Sequence, residues 1–154
     1  MALMSVIVIT PDGLGTVART IAHLRAQTAR RDLELVLVGP GVARQAAATA
    51  WASDFSAVRP VDVEDVRSTS RARAAGIRAA TAPVVVLTED HSFPESGWAE
   101  ALLAAHGAGW AVVGPAVVNA NPDSLVSWAN FVIEYGEGLD PAPAGQYEHV
   151  PGHN

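Results

Sequence analysis

Apolar residues fall in short runs separated by polar turns, and the runs are rich in β-branched side chains. Ser5 to Thr10 (SVIVIT), Leu33 to Val38 (LELVLV) and Pro83 to Thr88 (PVVVLT) each read as a buried strand, with a weaker one from Ser56 to Val61. Between them the period lengthens to that of a helix. Thr16 to about Arg30 places Val17, Ile21 and Leu24 on one face. Ala43 to about Asp54 is alanine-rich, and Ser68 to Ala80 begins with Ser68 or Thr69 as a cap. Glu95 to His106 carries Trp98 and Leu102. Trp110 to Val118 contains a further strand, broken at Gly114-Pro115. Asn121-Pro122 reads as a cap plus first-turn proline for a helix that runs to about Tyr135. In that helix Trp128, Phe131 and Tyr135 are spaced as a core-packing stripe, which with Trp110 would close the far edge of the sheet.

Alternating strands and helices imply βαβ crossovers. The expected fold is α/β, a mostly parallel sheet flanked by helices. Residues 1–135 read as one domain. Residues 136–154, rich in Gly and Pro and without periodicity, read as a mobile or partner-dependent tail. Tyr147, His149 and His153 in that tail carry no chemical assignment of their own.

Composition narrows the chemistry. The 154 residues are 49% hydrophobic, which argues for a packed core. No apolar run reaches the roughly 20 residues of a membrane span, and the first residues lack a basic leader, so a cytoplasmic domain is expected. The absence of cysteine excludes disulfides, thiol nucleophiles and cysteine-bound zinc. All ten basic residues are arginine, so a P-loop lysine and Schiff-base chemistry are excluded too. A net charge of -6 argues against a nucleic-acid partner. An uncovered sheet edge, or the tail, would offer a route to homo-oligomers.

Ligands of open α/β sheets bind outside the carboxyl ends of the strands. The segments expected there are Pro11-Asp12, Gly39-Pro40-Gly41, Asp62 and Glu89-Asp90-His91. Glu89, Asp90 and His91 end a valine-rich strand abruptly. Adjacent carboxylates repel and resist desolvation unless a cation joins them, and a hard divalent ion commonly brings phosphates with it. A solvated loop before the next helix is the plainer alternative. On the third helix Arg71 and Arg73 are candidates for an anionic partner, against snorkelling arginines as the plain reading. Arg73 lies by the Val66, Ser70 and Ile77 stripe, and Gly76 suggests close approach to the sheet.

Taken in order, these segments resemble the inverting family-2 glycosyltransferases of GT-A fold, a Rossmann-like nucleotide-binding architecture. Ala72, Arg73, Gly76 and Ile77 match the family pattern Ala-Arg-Asn-x-Gly-Ile, with Ala74 in place of Asn. Glu89-Asp90-His91 stands where the family carries Asp-x-Asp. Pro94 to Trp98 fits Pro-x-x-Trp, and Pro151-Gly152-His153-Asn154 resembles the segment that opens the acceptor half.

The resemblance implies a nucleotide-diphosphate sugar donor, an acceptor hydroxyl and Mn²⁺ or Mg²⁺. Donor contacts would come from Thr10, Pro11, Asp12, Arg73, Glu89 and Asp90, and metal ligands from Glu89, Asp90 and His91. Two departures stand out. Gly39-Pro40-Gly41 replaces the family's carboxylate at the end of strand two, and nothing in the chain matches the acidic motif that supplies the catalytic base. The alternatives are a non-catalytic GT-A-like module that binds a nucleotide sugar or a partner, and an unrelated metal-dependent phosphate enzyme or phosphoacceptor on a flavodoxin-like sheet. The lack of lysine counts against a phosphoacceptor.

Overall fold

The computed structural model describes residues 1–139 and 145–146. Four strands form one all-parallel sheet in the order β3-β2-β1-β4, comprising β1 (Met4–Ile9), β2 (Leu33–Gly39), β3 (Ala57–Asp62) and β4 (Val84–Thr88). Alternate residues point to opposite faces. Met4, Val6, Val8, Leu33, Leu35, Leu37 and Val86 pack with Val17, Ile21 and Leu24 of α1 (Ala18–Arg25). Val42 and Ala46 of α2 (Val42–Ala47) and Ala99 and Leu102 of α4 (Trp98–Gly107) join the same layer. On the other face Ile7, Val36 and Val38 pack against Ala72 of α3 (Thr69–Ala79). Every residue of β2 is buried because both its faces are covered. β3, at one edge, contains Pro60, which lacks the N–H that an interior strand would need.

Ser68 caps α3, its hydroxyl accepting from the Arg71 N–H at 3.4 Å. The buried positions of this helix are Ala72 and Gly76, whereas Ile77 is exposed, so the stripe expected at Ile77 is displaced. Gly76 permits the approach. A Cβ there would lie 2.6 Å from Ile7 Cγ2 and 3.1 Å from Val38 Cγ2. Both neighbours are β-branched, buried and stiff. Gly76→Ala therefore loses about 1–2 kcal/mol in a urea titration, although alanine is the better helix former.

Several expected elements differ. The helix from Ala43 to Asp54 is interrupted: α2 ends at Ala47, and Ala50–Asp54 is a separate 3-10 turn. The first helix stops at Arg25, short of Arg30. Among the described residues Trp110 to Val118 forms no strand, and the pairing there is one parallel bridge, Val117 to Leu139. Gly114 and Pro115 break the run, and proline supplies no N–H. The last helix, α5 (Leu125–Tyr135), is capped by Ser124 and not by Asn121. It has no buried residue, and Trp110 is exposed, so the aromatic stripe does not close the sheet. Its rings contact one another instead, Trp128 edge-to-face with Phe131 at 6.0 Å and Phe131 tilted against Tyr135 at 5.3 Å. The tail residues Tyr147, His149 and Pro151 to Asn154 lie outside the described residues.

At the amino-terminal edge of the sheet, opposite the candidate site, Glu34 is fully buried. Its carboxylate accepts from Ser5 Oγ at 2.5 Å, Thr81 N at 2.8 Å and Thr81 Oγ1 at 2.7 Å, and pairs with the Arg59 guanidinium. Burial alone would raise its pKa. The donors from Ser5, Arg59 and Thr81 outweigh burial and hold it at about 2. This network ties β1, β2 and β3 to the segment that leads into β4.

Candidate functional site

The carboxyl end of β4 brings Glu89, Asp90 and His91 together. His91 Nε2 lies 3.0 Å from Glu89 Oε2, and His91 Nδ1 lies 2.8 Å from Asp90 Oδ1. A neutral imidazole has one N–H and satisfies one carboxylate; only the doubly protonated ring donates to both. The side chain of His91 is 74% exposed, whereas those of Glu89 and Asp90 are 24% and 33% exposed. The ring thus lies between the two carboxylates.

The loop that follows β4 is held by α1 and the turn after it. Thr20 Oγ1 donates to the Asp90 carbonyl at 2.6 Å. Gln27 is fully buried. Its amide donates to the Glu95 carbonyl at 2.8 Å and its oxygen accepts from the Ala99 N–H at 3.0 Å. The Thr28 N–H donates to the Ser96 carbonyl at 2.9 Å. Sequence reasoning missed this clamp, because a glutamine near a helix end reads as surface. Arg19 lies over the Phe93 ring at 3.8 Å, and His23 packs tilted on it at 5.5 Å.

Glu89, His91, Arg19 and Phe93 line one side of an open groove of about 1750 Å³, whose other side is α5 and the segment before it. That volume exceeds the roughly 300–1,000 Å³ of an ordinary small-molecule pocket. On the far wall Asn119 Oδ1 accepts from Asn121 N at 2.8 Å and from Ser127 Oγ at 2.9 Å, fixing the start of α5. Its amide nitrogen is buried and has no partner among the described residues. Burial, then the charges of Glu89 and Glu134, raise the Tyr135 pKa above 10.0, so the end of α5 lies in the field of Glu89.

The other candidates are not among the groove's lining residues. Thr10 is buried, with its hydroxyl donating to the Gly13 carbonyl at 2.6 Å and bonded to Thr16 Oγ1 at 3.0 Å. Pro11 and Asp12 are exposed after β1. Arg73 is half-buried on α3 with no hydrogen bond or ion pair among the described residues. Asp62 accepts from the Ala43 N–H at 3.0 Å, which serves the start of α2.

Gly39 ends β2, and a Cβ there would lie 2.2 Å from the Thr10 carbonyl oxygen. The space that a carboxylate would need at this position is occupied by backbone. Gly39→Asp is expected to cost about 3 kcal/mol of stability without strengthening nucleotide binding; denaturation and a nucleotide titration check the two halves separately.

Among the described residues, no three His, Asp, Glu or Cys side chains form a set able to hold an ion. Mg²⁺ typically needs only one or two carboxylates when substrate phosphates and water complete its shell. Glu89 and Asp90, adjacent and partly solvated on either side of the His91 ring, are compatible with that mode and not with a protein-only cage.

The profile described as Glycosyl transferase family 2 matches residues 5–144. The chain belongs to glycosyl transferase family 2. Among solved structures, Staphylococcus aureus TarS is similar at a TM-score of 0.56 and 16% identity, over 68% of this chain and 19% of that one. A structure of TarS residues 1–349 gives 0.55 and 16%, over 70% and 32%. The likeness is one of fold, the GT-A arrangement, and the chain spans about a fifth and a third of those two lengths. No curated protein matches the chain.

Proposed function

We propose that the chain is the donor-binding part of an inverting glycosyltransferase that moves a sugar from a nucleoside diphosphate to an acceptor hydroxyl in the cytoplasm. The observation that supports this reading is that the carboxylates of Glu89 and Asp90 flank the His91 ring at the carboxyl end of β4, with Glu89 and His91 lining the groove. The nucleoside would cross the carboxyl ends of β1 and β2 beside Pro11 and Asp12, as in other open parallel sheets. Arg73, a half-buried cation without a partner among the described residues, would meet the diphosphate. The sugar end would enter the groove, where an acceptor has room beside it.

Glu89 and Asp90 would hold Mn²⁺ or Mg²⁺ together with the diphosphate, with His91 either yielding its place or joining as a third ligand. The ion, when bound, would neutralise charge on the departing nucleoside diphosphate. What the chain contributes is order. Thr20, Gln27 and Thr28 fix the loop of Asp90 to α1, so the carboxylates need little rearrangement when charge arrives. Arg19, braced on Phe93, adds a positive group to the same groove.

The second reading, a module that binds a nucleotide sugar or a partner without transfer, is favoured by one observation. The backbone fills the position of the carboxylate at Gly39. Calorimetry with UDP- and GDP-sugars, with and without Mn²⁺, tests donor binding, and chromatography of the same mixtures with candidate acceptors tests transfer. Metal-dependent binding with transfer or donor hydrolysis supports the enzyme. Binding alone supports the module, and no metal-dependent binding of any sugar nucleotide rejects both. Among the described residues, no helix is long and apolar enough to cross a membrane.

A further inference from the structure

The two loops assigned above to the nucleoside are poor in hydrogen-bond donors. The turn after β1, Pro11 to Gly15, and the segment that ends β2, Gly39 to Gly41, contain no side-chain N–H or O–H; Asp12 can only accept. The hydroxyls that flank the turn, Thr10 and Thr16, both lie on the Gly13 carbonyl, at 2.6 and 2.9 Å. Gly39 has no room for a side chain of any kind. A donor is supplied to this end of the sheet by Gln45 of α2.

Gln45 is half-buried, and its amide is pressed onto that turn. Oε1 accepts from the Leu14 N–H at 2.8 Å. A backbone N–H can only donate, so this bond fixes which way the amide faces. Gly13 makes room for it. At a φ of +89°, a Cβ there would lie 2.7 Å from Oε1 and 2.9 Å from Nε2. Nε2 has no hydrogen-bond partner among the described residues, yet it is not sealed from solvent. A side chain already held by one atom presents the other at little further entropic cost. The β1 and β2 loops thus share an oriented NH₂ group, and only an acceptor atom satisfies it.

We propose that Gln45 selects the nucleobase of the donor, and that this base carries a carbonyl where cytosine and adenine carry an amino group, as uracil and guanine do. The inference rests on the reading of the site as one for a nucleotide sugar and narrows its donor. Against cytosine or adenine, the NH₂ of Gln45 would face a second N–H group, and neither would be paired. Recognition comes from α2 because the end of β2 has no space for a side chain at Gly39. Gln45 therefore has two tasks on two atoms: Oε1 holds the turn after β1, and Nε2 reads the base.

The test is calorimetry of the 154-residue chain in Mn²⁺, with UDP against CDP and GDP against ADP. Each pair shares its ribose, phosphates and metal. The parent is expected to bind the carbonyl-bearing member of at least one pair about tenfold more tightly, the worth of one hydrogen bond against an unpaired donor. Gln45→Glu keeps an oxygen for the Leu14 N–H and replaces the NH₂ with a second acceptor. It should leave the thermal melt in place and turn the preference towards the amino-bearing base. The added charge acts on both members of a pair alike, so their ratio isolates the base contact. Gln45→Met, with neither polar atom, should bring the ratio to about one. Equal binding within both pairs by the parent, or a ratio that survives in both variants, overturns the proposal and leaves the donor site standing. A chain that binds none of the four nucleotides overturns the glycosyltransferase reading along with it.

Discussion

Glu34→Gln is expected to destabilise the fold by about 3 kcal/mol at neutral pH, chiefly the cost of leaving the donors from Ser5 and Thr81 without their buried carboxylate, since Arg59 is half-exposed. The carboxylate has no exposure and accepts from Ser5, from the Thr81 N–H and hydroxyl, and from Arg59. An amide in its place turns an NH₂ group towards donors. Titration gives the effect its pH signature. The carboxyl titrates at about 2 in the fold against an ordinary value of 4.5, a depressed value. Its contribution is therefore complete above pH 4.5 and disappears as the pH falls through about 2. The difference between the two values corresponds to about 3 kcal/mol. Urea denaturation of the parent and of Glu34→Gln should diverge above that window and converge below it. A variant within about half a kcal/mol of the parent at pH 7 would show that the network contributes no more than an ordinary surface change does.

Asp90→Ala is expected to weaken metal-dependent donor binding about a hundredfold or more while leaving the melt almost unchanged. The separation follows from which atoms do what. The fold uses the Asp90 carbonyl, which accepts from Thr20, and that bond survives the substitution. Among the described residues the carboxylate bonds only to the exposed ring of His91. Removing one of two carboxylates from a bound ion typically costs several kcal/mol, as truncating one partner of a charge pair does. Calorimetry and thermal denaturation of the same sample check both halves. Retained binding would remove Asp90 from the site, and a collapsed melt would make its role structural.

The layout of the sheet was legible because β-branched runs bounded by Gly and Pro have few alternatives. The Glu89-Asp90-His91 cluster was legible because a strand of valines ends in three polar residues at once. Other features depended on contacts distant in sequence. Glu34, inside an otherwise apolar run, signals a buried charge that needs a partner, but Ser5, Arg59 and Thr81 come from three other segments. Gln27 is polar and near a helix end, and only the packing of residues 95–99 against α1 makes it a core residue. In α5 two faces are apolar, one aromatic and one aliphatic, and periodicity alone does not say which is turned inward. The strand expected near Trp110 failed because Gly114 and Pro115 interrupt its ladder.

The proposed function requires that Glu89 and Asp90 hold a divalent ion together with a diphosphate. Mn²⁺ titration followed by the paramagnetic signal of the free ion, with and without a UDP- or GDP-sugar, addresses this directly. The expected result is weak uptake by the chain alone, strong uptake once the sugar nucleotide is present beyond what the nucleotide takes up by itself, and loss of that increment in Asp90→Ala. Uptake that is the same with and without the chain would contradict it.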